Sequence, residues 1–344
     1  MVTIKEIANT LGLSTTTVSN VIHGKTKEVS EDTIERVKEI LKKYEYVPNI
    51  NARNLAKNNS RIIGIALKSR KGHFIGKNYI KDAFTSELVG AIERAVKDAG
   101  YFLMIYISDN IAETLSYIST WNVDGLILLG MMNEDCSKIK KKYKKPMVFV
   151  DTYFYQEARE FCNVGLEDKE GSYQITKYVI SQGHKKIAFV SDVCIAVEAM
   201  RYDGYQKAME EAGLECSEAD IIYISEEDVK SEAKEKTGLQ SILEACRKYT
   251  AFVCSTDFHA SAVISYLYDH GIKVPEDVSV TGFDDNYYSK FVRPRLTTVH
   301  QDPEQKGRIA VEMLIQQLKG SEPEKKNVIL PIELKIRDSV KRIL

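Results

Sequence analysis

Four apolar runs in the body of this 344-residue chain give way to carboxylates or hydroxyls. Asp151 follows Met147–Val150, and Ser108 and Asp109 follow Phe102–Ile107. Thr256 and Asp257 follow Ala251–Cys254, while Asp284 and Asp285 follow the run closing at Phe283. In open parallel α/β sheets, ligands sit beyond the carboxyl ends of the strands. Carboxylates accept hydrogen bonds from hydroxyls in pairs and aromatic faces cover a ring, so the set points to a polyhydroxylated ligand. Asp109, Asp257 and Asp285 leave a second role open, as ordinary caps for the helices that follow them. Thr15, Thr16 and Asn20 form a different group, short donors and acceptors of the kind that reach base edges in a DNA groove.

The elements that would carry Thr15, Thr16 and Asn20 can be traced residue by residue. Thr3 and Glu6 are spaced as a capping box, and Ile4, Ile7, Ala8 and Leu11 give the helix behind them one apolar face. Gly12 ends that helix, Ser14 caps the next, and Val18, Val21 and Ile22 form its buried stripe. A third helix opens at Ser30, with Glu31 and Asp32 in its first turn and Ile34, Val37, Ile40 and Leu41 facing inward. Two short helices joined by a tight glycine turn are a helix-turn-helix, whose second helix lies in the major groove. Beyond it, Pro48 breaks the chain and Asn49 caps at most two further turns, too short to hold alone in water.

From Arg61 onward, apolar runs alternate with amphipathic helices, as in parallel-sheet α/β units. Strands are expected at Ile62–Leu67, Phe102–Ile107, Gly125–Leu129 and Met147–Val150. A second set follows Gly183 and His184, at Ile187–Val190, Ile221–Ile224, Ala251–Cys254 and Val278–Phe283. Helices are expected near Ser86–Ala99, Ala112–Trp121, Tyr202–Glu211, Gly238–Lys248 and Ala260–Asp269. The reading is an all-α helix-turn-helix head on an α/β core of two doubly wound lobes.

Residues 3–24, with Tyr46-Val47-Pro48-Asn49 and Ala52-Arg53-Asn54-Leu55-Ala56, resemble the head and hinge of the lactose-repressor (LacI-type) family of bacterial regulators. Gly282-Phe283-Asp284-Asp285, the arginine–glycine–aromatic segment at Arg201–Tyr205, and Leu296-Thr297-Thr298-Val299 extend the resemblance to the C-terminus. It implies a periplasmic-binding-protein-like core and three regions: residues 1–47 as DNA-binding domain, 48–60 as hinge and linker, 61–344 as effector and dimerisation core. Within the core, one lobe takes 61–160 with part of the C-terminal region and the other takes 161–290. The hinge could be a plain connector; the resemblance favours a segment that folds on DNA with Leu55 as a minor-groove wedge.

The DNA contacts so implied are Thr3, Ser14, Thr15, Thr16, Thr17, Asn20, His23, Asn49 and Leu55. The effector contacts are Arg201, Asp284, Thr256, Phe84, Ser108 and Asp151. Three departures stand out: Thr256 where the family often has asparagine, Glu167-Asp168 for the usual aspartate-asparagine pair, and an insertion at 70–81.

Net charge is −1, but residues 1–61 hold ten Lys/Arg against seven Asp/Glu, and the remainder 38 against 42. The basic excess falls on the head, yet is small enough that sequence reading must supplement electrostatics. The chain opens on a capped helix with no room for a signal peptide, and no apolar run approaches the roughly 20 residues that span a bilayer. Six cysteines without zinc spacing read as reduced thiols in a cytoplasm. No phosphate loop, HExxH or nucleophile elbow argues for an enzyme, His184 reads as structural, and no cofactor or metal is expected. The sequence thus points to a homodimeric repressor of an approximately palindromic operator, relieved by a small ligand such as a sugar or sugar derivative. An activator, or a co-repressor-dependent regulator answering to a protein partner or a nucleobase, is the alternative.

Overall fold

The computed structural model describes residues 2–46, 59–68, 79–152, 161–225, 228–229 and 237–343. Asn49, Leu55 and most of the 70–81 insertion lie outside them. The chain divides into two compact units, residues 1–60 and 61–344.

The first unit holds α1 (Ile4–Leu11), α2 (Thr15–Ile22) and α3 (Glu31–Lys43). Each starts where a hydroxyl can satisfy an orphan amide. Thr3 Oγ1 accepts from Glu6 N at 3.2 Å while the Glu6 carboxylate accepts from Thr3 N at 2.7 Å, and Ser14 Oγ accepts from Thr17 N at 3.0 Å. Ser30 does the same for α3 through Thr33 N. Gly12 takes the left-handed conformation (φ 67°) that closes α1. Ile7, Ala8, Val18, Val21 and Val37 form the buried centre of the three helices.

The second unit contains two six-stranded sheets. The first lobe builds its sheet from β1 (Ile62–Lys68), β2 (Phe102–Ser108), β3 (Gly125–Leu129), β4 (Met147–Val150), β5 (Asn163–Leu166) and β11 (Asn327–Leu330). They are ordered β11-β5-β4-β3-β1-β2 and all parallel. The second lobe uses β6 (Ile187–Ser191), β7 (Ile221–Tyr223), β8 (Ala251–Cys254), β9 (Ser279–Asp284), β10 (Thr297–His300) and β12 (Glu333–Lys335). Their order is β12-β10-β9-β8-β6-β7, with only β12 antiparallel to its neighbour. Helices α4 (Ala83–Asp98), α5 (Ile111–Trp121) and α6 (Asn133–Lys142) belong to the first lobe. In the second lie α7 (Asp168–Ser181), α8 (Val197–Glu211), α9 (Thr237–Ala245), α10 (Asp257–Asp269) and α11 (Tyr287–Phe291). Finally α12 (Pro303–Leu318) returns to the first lobe and packs on α4.

The chain therefore crosses between lobes three times, after β5, after β10 and after β11. This corrects the expected division at 160/161: β5 pairs with β4 and β11, so residues 163–166 belong to the first sheet. It also gives α12 and β11 to the first lobe and β12 to the second. Strand ends move too. Ser108 and Asp284 are the last residues of their strands rather than the first beyond them, and Arg201 lies inside α8, which starts five residues before the expected Tyr202.

Two aspects of the second lobe fix its geometry. His184 is fully buried, its Nδ1 2.8 Å from Thr250 Oγ1 and its Nε2 3.1 Å from the Lys341 carbonyl, so it ties a turn to the C-terminal segment. Burial holds its imidazole below the ordinary range. Gly204 lets α8 lie directly on α7: a Cβ there would fall on the Lys169 carbonyl oxygen and 2.8 Å from Tyr173 N. Gly204→Ala should therefore destabilise the core by about 1–3 kcal/mol, the scale of forced overpacking. Urea unfolding measures it, and an unchanged midpoint would show that α7 and α8 do not need this close approach.

Candidate functional site: the lobe junction and the head helix

A run of buried polar side chains joins the carboxyl ends of the two sheets. Arg201, on α8, donates from Nε to Asp168 Oδ1 at 2.8 Å and from Nη1 to the Ser255 carbonyl at 2.6 Å. The same Nη1 lies 3.5 Å from Asp284 Oδ1, and the guanidinium stacks 3.6 Å above the Phe283 ring. Asp284 Oδ1 accepts from Gln301 Nε2 at 2.7 Å, and Gln301 Oε1 accepts from Lys306 Nζ at 2.9 Å. Lys306, on α12, completes the chain by donating to both Asp151 oxygens at 2.7 and 2.9 Å, with its ammonium 5.0 Å from the Phe84 ring centre. Arg201, Asp168 and Asp284 belong to the second lobe, Lys306, Asp151 and Phe84 to the first, and Gln301 sits on the crossing between them.

The electrostatics follow from burial. Desolvation works against the Arg201 charge, but Asp168 and Asp284 outweigh it and hold the guanidinium protonated. Burial pushes the Asp284 carboxyl up to about 7, against the pull of Arg201 and the Gln301 hydrogen bond. Burial also raises Asp151, with Lys306 opposing it. Asp151 and Asp284 both adopt positive φ, 51° and 118°, a conformation rare for side-chain-bearing residues and typical of sites where backbone strain is held in place. Asp284 Oδ2, an acceptor, and Arg201 Nη2, a donor, have no hydrogen-bond partner among the described residues, and neither has the buried Thr152 Oγ1 beside Asp151.

The structure thus brings Arg201, Asp284, Asp151 and Phe84 into one connected neighbourhood. It does not do so for the other two expected residues. Thr256 caps α10, accepting from His259 N at 3.2 Å, and touches the site only through its neighbour Ser255. Ser108 ends the edge strand of the first sheet, three places from β4, and its hydroxyl serves Asn110 N and Glu113. None of the other three carboxylates caps the helix after it; Asn110, Thr256 and Asn286 hold those places. Asp257 holds Asn286 N at 2.9 Å and Thr298 Oγ1 at 2.5 Å. Asp285 is bound to Arg337, Ser289 and His300, and Asp109 is exposed. Asp168, Gln301 and Lys306 were missed as site residues. Lys306 did carry a signal: it shares the helical face of Ala310, Met313 and Leu314, where an unpaired ammonium would be costly.

In the head, Thr15 and Thr16 are exposed at the start of α2 and Asn20 is half-buried further along it. None of the three has its side chain hydrogen-bonded among the described residues. By contrast, the hydroxyls of Thr3, Ser14 and Thr17 are engaged in the caps of α1 and α2. His23 is exposed, its Nδ1 2.6 Å from the Ser19 carbonyl.

A three-helix head built to present one polar helix, on a two-lobed α/β core with a polar junction, is the build of a DNA-binding regulator. Comparison with known proteins makes it specific. Residues 3–49 match the family described as bacterial regulatory proteins, lacI family, and residues 176–340 match the periplasmic binding protein-like domain. The chain is 31% identical to the HTH-type transcriptional repressor PurR of Glaesserella parasuis, covering 100% of this chain and 99% of that one. It is 32% identical to the HTH-type transcriptional regulator RegA of Clostridium saccharobutylicum, over 98% of each. Among solved structures, the Lac repressor dimer bound to operator and the anti-inducer ONPF superposes with a TM-score of 0.82 over 99% of each chain, at 22% identity. The chain belongs to the LacI family of DNA-binding transcriptional regulators. These likenesses do not support the expected carbohydrate effector.

Asparagine pairs well with adenine and arginine with guanine, so Asn20→Arg should change base preference at one position per half-site. Selection from a randomised duplex pool reads it; an unchanged site profile would remove Asn20 from the reading surface.

Proposed function

We propose that this protein is a repressor whose hold on an approximately palindromic operator is relaxed by a small hydroxyl-bearing ligand, a sugar or sugar derivative, seated on Arg201 and Asp284. One observation carries the reading: an acceptor and a donor, Asp284 Oδ2 and Arg201 Nη2, stand without a partner among the described residues, on groups that also link the two lobes. A hydroxyl can accept from the guanidinium and donate to the carboxylate at once. A ligand held there changes the surroundings of the chain running through Gln301 to Lys306, so it discriminates between lobe arrangements. Only such differential affinity can shift DNA binding.

Pairing of two chains, which a two-half-site operator requires, is supported by apolar side chains at the free edge of each sheet. Phe102 on β2 and Tyr223 on β7 are 57% and 50% exposed. The relatives named as repressors support repression as the output.

The test is a ligand screen on the full chain by thermal shift, with mono- and disaccharides, sugar phosphates and nucleobases, followed by Asp284→Asn. A hydrogen bond to a charged group contributes roughly 1.5–3 kcal/mol, so affinity should fall about ten- to a hundredfold. Operator binding without ligand is titrated beside it and the ligand effect is read relative to that baseline, because Asp284 is also held by Arg201 and Gln301 in the buried chain. Hydroxyl donors favour the ionised carboxylate, so wild-type ligand affinity should drop as pH is lowered through about 7, and the variant should lose that dependence. An Asp284→Asn protein that releases operator at the wild-type ligand concentration would place the site elsewhere.

A further inference from the structure

Residues 138–145 read Lys-Ile-Lys-Lys-Lys-Tyr-Lys-Lys, six lysines in eight positions with no acidic residue between them. They form the end of α6 and the turn into β4. Ile139 and Tyr143 are buried and hold the segment against the lobe, while Lys138, Lys141, Lys142 and Lys144 are exposed. Lysines in the last turn of a helix complement its dipole, which accounts for Lys140, Lys141 and Lys142 but not for the other three. Among the described residues, no carboxylate pairs with Lys138, Lys141, Lys142, Lys144 or Lys145. Beside them lies a recess of about 240 Å³ lined by Lys140, Lys144, Lys145 and Lys326, the last paired with Glu322 at 3.0 Å.

The location gives this charge a use. Strands β1, β3 and β4 are parallel, so their starts share one edge of the sheet. Lys145 Nζ donates to the Val123 carbonyl at 2.8 Å and to Asn122 Oδ1 at 2.8 Å; the next residue, Asp124, donates from N to the Ile62 carbonyl and accepts from Arg61 N at 2.9 Å. Arg61 is where the chain arrives from the head. The lysines thus lie on the edge of the first sheet at which the core begins in the chain. The head itself has an excess of only three basic residues over positions 1–61.

We propose that this lysine-rich edge of the first lobe is a second polyanion surface, binding the phosphate backbone of the DNA that flanks the sequence read by the head. It rests on the head binding DNA. Each phosphate neutralised adds about 0.9 to the slope of log K against log salt, whatever the base sequence. The experiment uses the full chain and a site selected from a randomised duplex pool, offered alone or extended by one helical turn on each side. Wild type should bind the extended duplex more tightly and with a steeper salt slope than the site alone. With Lys141→Gln, Lys142→Gln and Lys144→Gln combined, affinity for the extended duplex should fall at least about tenfold at about 0.1 M salt, with a shallower slope. Affinity for the bare site should not change, which shows the head intact, and the corresponding triple arginine variant should bind as wild type. Coincident salt plots for wild type and the glutamine variant on the extended duplex would overturn the proposal. So would an equal loss on both duplexes.

Discussion

Three carboxylates and two cations lie buried where the two lobes meet, and each is placed by the next. Asp168 and Asp284 flank Arg201, while Asp151 receives Lys306 through both its oxygens. An ion taken from water into a protein interior costs several kcal/mol, which is recovered only where geometry and hydrogen bonds are good. Removing one member leaves its partner charged and buried, a loss of about 3–5 kcal/mol in comparable cases. Such a chain tolerates few arrangements of the groups in it. Because it runs from Arg201 in one lobe through Gln301 to Lys306 in the other, the relation between the lobes depends on it.

This constraint explains why a ligand of modest size could control the molecule. The lobes share three chain crossings, and Gln301 lies on one of them, accepting from a first-lobe ammonium and donating to a second-lobe carboxylate. A group that competes for Asp284 or Arg201 therefore acts on a link that both lobes use. Packed interiors answer such changes by switching between discrete arrangements rather than by continuous deformation. The left-handed backbone at Asp151 and Asp284 fits the same picture, since rare conformations persist where their surroundings over-determine them.

Much of the fold was legible because it is written in local patterns. Thr3 with Glu6, Ser14 and Ser30 mark helix starts by capping chemistry, and the strands at Gly125–Leu129, Met147–Val150 and Ala251–Cys254 coincide with their apolar runs. What was not legible is non-local. No periodicity announces that β5 and β11 pair across more than 150 residues, or that α12 returns to the first lobe. The site divides in the same way. Asp151 and Asp284 follow from a rule about strand ends, but that rule equally selected Asp257 and Asp285. Only their partners, Asn286, Thr298, Ser289 and Arg337, show those two to be structural. Arg201 came through resemblance alone. Lys306 and Gln301 escaped because their function depends on which strand end they face.

Coupling between a ligand and an operator is reciprocal: each must change the other's affinity by the same factor. The most direct measurement is therefore calorimetric titration of the screened ligand into the full chain, free and saturated with its selected operator. The account predicts that operator weakens ligand binding by the factor by which ligand weakens operator binding. Identical ligand affinities in the two titrations would contradict it, because a ligand indifferent to DNA cannot govern release.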